Sequence, residues 1–95
     1  MNVRDIVINK TTVQGIEIPL INSTLVIITT PKGYLMCGYL DIKTAEKMGD
    51  CAAVIRGVKN VDDLLAGKVV EITTAASAAG IKLGMTGMKA LAKIA

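Results

Sequence analysis

The apolar positions of this chain alternate first and only later fall at threefold and fourfold spacing, which puts strands ahead of helices. Residues 3–9 (VRDIVIN) and 12–20 (TVQGIEIPL) hold β-branched residues in loose alternation, with Gly15 and Pro19 limiting regular pairing. They predict short strands, with edges open to another subunit. Residues 25–30 (LVIITT) form a stronger strand signal, followed by Pro31-Lys32-Gly33 and the apolar run 34–40 (YLMCGYL). Proline early in the turn and glycine late in it suit a hairpin.

Helical signals begin at Asp41, a side chain suited to cap a helix over 42–48. There Ile42, Ala45 and Met48 share a face and Gly49 supplies the stop. Residues 51–55 (CAAVI) are continuously apolar, as in a strand covered on both faces. Asn60, with Asp63 three residues on, predicts a second short helix that buries Val61, Leu64 and Leu65. Residues 68–73 read as a strand leading into an alanine-rich helix that stops at Gly80, with a single helix over 69–79 as the alternative. Thr86 caps a final helix carrying Met88, Leu91 and Ile94 on one face. The order predicts one α+β domain over residues 1–95. An N-terminal antiparallel β layer precedes a β-α-β-α half with short helices.

Composition adds a constraint. Hydrophobic residues make up 52% of the chain before its nine glycines are counted, and neither Phe nor Trp is present. An ordinary soluble domain reaches about 45–50% with glycine included. Surplus aliphatic surface on so small a domain is best hidden against copies of itself, so a homo-oligomer is expected. No run approaches the ~20 apolar residues of a membrane span, and Met1-Asn2-Val3-Arg4-Asp5 lacks the apolar core of a secretory signal. A soluble, cytoplasmic protein without membrane contact is expected.

The chain has no histidine, which removes the commonest general base, the usual catalytic triads and histidine-containing zinc sites. The net charge of +3 comes from Lys82, Lys89 and Lys93, because residues 1–71 balance eight basic against eight acidic side chains. Two arginines and two tyrosines are too few for a nucleic-acid platform, so no nucleic-acid partner is expected. Cys37 and Cys51 are too few for a disulfide framework and are expected as free thiols. They offer a metal only two ligands, so neither a metal nor any cofactor is expected.

The run 33–41 (GYLMCGYLD), then Gly49-Asp50, Arg56-Gly57-Val58, Asp63-Leu64-Leu65 and 80–87 (GIKLGMTG), resembles the YunC-like family of uncharacterised bacterial and archaeal proteins. Leu35-Met36-Cys37-Gly38 and Gly84-Met85-Thr86-Gly87 are its most specific pieces, while residues 1–23 share only a strand-like character. The resemblance implies a small α+β domain whose N-terminal β region, about residues 1–30, is used for tetramerisation. It implies no established activity.

Three candidate sites follow. Cys37, just before a helix start, could serve as a lowered-pKa nucleophile with Asp41, Lys32 or Lys43 beside it, or could simply fill a core gap. Gly84, Thr86 and Gly87, with Lys82 and Lys89 nearby, could hold a small anionic ligand at a helix start, or could be turn glycines around an ordinary cap. Asp41 and Asp50 bracket a helix and could form an acid/base pair, although capping and turn roles account for both. Two function classes remain: a non-enzymatic homo-oligomeric module that binds a small ligand or is structural, and a small oligomeric enzyme with an inter-subunit site using Cys37 as nucleophile.

Overall fold

A computed structural model describes all 95 residues. Six strands form one sheet in chain order: β1 (Asn2–Ile8), β2 (Thr11–Pro19), β3 (Thr24–Thr29), β4 (Tyr34–Met36), β5 (Ala52–Val54) and β6 (Glu71–Ile72). Four helices intervene late: α1 (Ile42–Met48), α2 (Val61–Ala66), α3 (Thr74–Ala78) and α4 (Gly87–Ile94). The domain is α+β as expected, but its second half does not stand apart from the N-terminal layer. β4 to β6 extend the same sheet.

β1 to β4 pair antiparallel through short turns. Asn9 and Lys10 make a two-residue turn with φ of 50° and 65°, the left-handed pair that matches strand twist. The Thr30 amide donates to the Gly33 carbonyl (2.8 Å) and closes the proline-glycine hairpin. α1 then carries the chain across, so β5 lies parallel to β4, the one parallel pair in the sheet. β1 is an edge strand, whereas β2 lies inside the sheet with Pro19 at its end. Gly15 does not interrupt pairing. It lies opposite Arg4 and Ile28, and a Cβ there would come within 2.8 Å of the Val61 side chain.

The helix starts follow their local chemistry. Asp41, Asn60 and Thr86 cap α1, α2 and α4, and Gly49 ends α1 at φ 78°. Residues 69–79 are not one helix. The Val70 and Thr73 amides donate to the carbonyls of Val54 (2.9 Å) and Ala52 (3.0 Å), and Thr73 caps α3. On α4 the buried stripe is Gly87, Ala90, Leu91 and Ile94, and Met88 is exposed. On α1 only Ala45 is buried, while Met48 faces solvent.

The sheet separates two cores. On one face Val13, Val26, Ile28, Leu35 and Ile55 pack with Leu64 of α2 and Leu91 of α4. On the other a smaller cluster joins Met36, Ala52 and Val54 to Ala45 of α1. Pairing register places Val3, Ile16, Ile27, Met36 and Val54 in one row on that second face. Met36 and Val54 are fully buried, Ile16 and Ile27 half-buried, and Val3 is 52% exposed. α1 therefore covers only the β4–β5 half, and an apolar stripe on β1 to β3 has no helix over it. No helix is long and apolar enough to cross a membrane.

Candidate functional site

The parallel pair fixes where the polar chemistry gathers. Beyond the carboxyl end of β4 the Cys37 amide donates to the Val26 carbonyl (3.0 Å), and the Ile55 amide donates to the Met36 carbonyl (2.9 Å). The chain then leaves the sheet at Cys37-Gly38-Tyr39 on one strand and at Arg56-Gly57-Val58-Lys59 on the other. Both departures use glycine. Gly57 has φ 75°, and a Cβ at Gly38 would come within 2.9 Å of the Arg56 guanidinium. Arg56 is held across this position by an ion pair with Glu71. Between the two loops lies a cavity of about 270 Å³, lined by Ser23, Cys37, Tyr39, Gly57, Val58 and Lys59 among others. It occupies the crevice outside the carboxyl ends of parallel strands, where α/β sheets commonly receive ligands.

Cys37 is 2% exposed and belongs to the larger core cluster. Its sulfur accepts a hydrogen bond from the Val26 amide at 3.3 Å. Asp41 is not brought to it. The Asp41 carboxylate accepts from the Lys43 amide (3.1 Å) and the Thr44 hydroxyl (2.7 Å), and these bonds, the Thr44 hydroxyl foremost, lower its pKa. Asp41 lines a different cavity, with Ile27, Met36, Leu40 and Ala45 on the α1 face.

Cys51 lies just before β5, at the opposite end of the parallel pair from Cys37, and both thiols are free. It is half-buried, and burial pushes its pKa up. Nearby the Tyr34 hydroxyl donates to Asp50 at 2.7 Å. Burial first, and this bond second, push the Tyr34 pKa up to about 12. Asp50 thus serves Tyr34 and makes no hydrogen bond to Asp41.

The 80–87 segment is closed by its own chain. The Gly84 amide donates to Val69, the Met85 amide to Lys82 and the Gly87 amide to Gly67. The Lys89 amide donates to the Thr86 hydroxyl (3.2 Å) and the Ala90 amide to the Thr86 carbonyl. Gly84 has φ 86°, and a Cβ on Gly87 would run into the Leu64 carbonyl oxygen. These glycines serve a turn and a close helix contact. The side chains of Lys82 and Lys89 are exposed and make no ion pair.

Sequence patterns pointed to Cys37 but not to Ser23, Tyr39 or Lys59, which share its cavity. The available signal was a glycine shortly beyond each strand, Gly38 two residues past β4 and Gly57 three past β5, because glycine at such a place marks a close approach.

The model of a family described as a domain of unknown function, DUF1805, matches residues 36–94. Over 98 aligned residues the chain is 31% identical to the uncharacterised protein YunC of Bacillus subtilis (strain 168), covering 99% of this chain and 97% of that one. The crystal structure of a protein of unknown function from Thermoplasma acidophilum is similar at a TM-score of 0.94 and 37% identity, covering 99% of this chain and 92% of that one. None of these descriptions names an activity. The matched segment holds β5, β6 and all four helices, including the α2–α4 contact, and the chain belongs to the DUF1805 family of unknown function.

Proposed function

We propose that this chain is a non-enzymatic, homo-oligomeric module whose protomers associate through the uncovered face of β1 to β3. The observation that supports it is the row Val3, Ile16, Ile27, Met36. A helix buries one end of the row, and the other end is left bare. Val7, on the same face of the edge strand as Val3, is 71% exposed. An antiparallel sheet with one face in water ordinarily carries polar residues there. A second copy laid face to face on this one would remove the stripe from water, as in a sandwich of two sheets. Four copies, with the β1 edges paired as well, would give the tetramer that the family resemblance implies.

Light scattering on the native protein tests the assembly. A multiple of the 9.9 kDa chain mass is expected, falling toward one chain in Ile16→Lys and unchanged in Leu83→Lys on a different surface. A wild-type monomer at tens of micromolar, or an Ile16→Lys protein of unchanged mass, overturns the proposal. Cys37 and Asp41 line separate cavities, so an enzymatic reading would take a lysine or a second protomer as the partner of Cys37.

A further inference from the structure

We infer that the crevice at the carboxyl ends of β4 and β5 is a binding site for a small anionic molecule, its charge met by Lys59 and its uncharged end reaching Cys37. The inference does not depend on the assembly proposed above, because Cys37 belongs to the core on the opposite face of the sheet.

Four observations converge. The cavity, about 270 Å³, has the scale of a few-carbon metabolite. Lys59 is the one charged side chain among its lining residues, and no carboxylate lines it. The ion pairs of the chain are Arg4 with Asp62 and Arg56 with Glu71, so the Lys59 ammonium is uncompensated. The nearest acids along the chain are engaged elsewhere, Asp62 by Arg4 and Asp63 by the Lys59 backbone amide at 3.1 Å. The fourth is Cys37 itself, nine-tenths and more buried. Its sulfur accepts from the Val26 amide, which fixes the thiol on the buried side of the cavity. A cavity lined by one cationic side chain, the hydroxyl-bearing Ser23 and Tyr39 and a buried thiol has the mixed polar and apolar lining of a small-ligand site.

Two alkylating probes of one shape and different charge, iodoacetate and iodoacetamide, test this directly. With either, a sulfur–carbon bond forms, the carbon–iodine bond breaks, iodide leaves and the thiol proton passes to water. Rates at Cys37 are read by peptide mass spectrometry at low salt, as the ratio of iodoacetate to iodoacetamide relative to the same ratio in the urea-unfolded chain. A preference for iodoacetate on the order of fivefold is expected, the effect of one unit charge a few ångströms away in high dielectric. It should vanish in Lys59→Gln and at ~1 M salt. Lys59 is exposed and its side chain makes no hydrogen bond, so Lys59→Gln keeps the fold. A ratio equal to that of the unfolded chain, a preference that survives Lys59→Gln, or a Cys37 that reacts only after unfolding each overturns the inference.

Discussion

Ile27 lies opposite Met36 across the β3–β4 pair, and between these two neighbours one sheet face passes from bare to covered. The same kind of side chain therefore does two jobs along one row. Met36 fills the small core under α1, and Ile16, next beyond Ile27, faces outward. Substitution should separate the two jobs. Met36→Ala should cost about 2–5 kcal/mol of folding stability, the range for truncating a buried large side chain. Ile16→Thr should change the folding stability of the isolated protomer by no more than about 1 kcal/mol while weakening association. Urea unfolding and light scattering on the two variants check both outcomes.

Gly87 opens α4 pressed against the end of α2, where a Cβ would collide with the Leu64 carbonyl oxygen. Alanine ordinarily stabilises a helix over glycine by about 1 kcal/mol. Here the collision is with backbone, which cannot rotate away, so the steric cost wins. Gly87→Ala should destabilise by about 1–3 kcal/mol net, lowering Tm by about 4–8 °C for each of those. Gly84→Ala has open space around it and is penalised only through φ 86°, so calorimetry should rank it the milder change.

Thr73 is the buried polar residue of the chain, at 1% exposure. Its hydroxyl accepts from the Ala52 amide (3.1 Å) and the Ala76 amide (3.2 Å), and so joins β5 to the start of α3. Thr73→Val keeps the shape and strands both donors. A loss of about 1–3 kcal/mol is expected from that. Thr73→Ser keeps the hydroxyl and should recover most of the loss in the same denaturant titration.

Tyr34 gives the chain an alkaline limit. Its pKa is raised from near 10 to about 12, so the folded state prefers the neutral phenol. The associated stability is fully present below pH ~10 and is lost as pH rises from there toward 12. In Tyr39→Phe protein the phenolate absorbance should report Tyr34 alone, with a midpoint near 12 while the chain stays folded. Asp50→Asn should lower that midpoint only in part, because burial is the larger cause and the bond to Asp50 the second. A complete return to the ordinary value would assign the shift to Asp50 instead.

Much of the local fold was legible from residue order. Asp41, Asn60 and Thr86 start their helices where the sequence places them. A cap bond spans two or three residues and depends on little else. The hairpin at Pro31–Gly33 has the same locality. Faces were less legible. Met48 and Met88 continue the apolar spacing of α1 and α4 yet are exposed, because each helix is short and its neighbour reaches only part of the stripe.

By itself the sequence determined the strands-then-helices order, the caps and turns, and an excess of aliphatic side chains with no histidine to use. These depend on bonds within a few residues or on composition. Only the tertiary structure decided that β5 runs parallel beside β4. That pairing brings Lys59 to Cys37 across 22 positions, while register and α1 place Asp41, four positions from Cys37, in another cavity. After Cys37 packs into the larger core the chain leaves the sheet and Asp41 starts α1 on the other face, so nearness in sequence does not join them, whereas pairing between strands joins residues far apart in the chain.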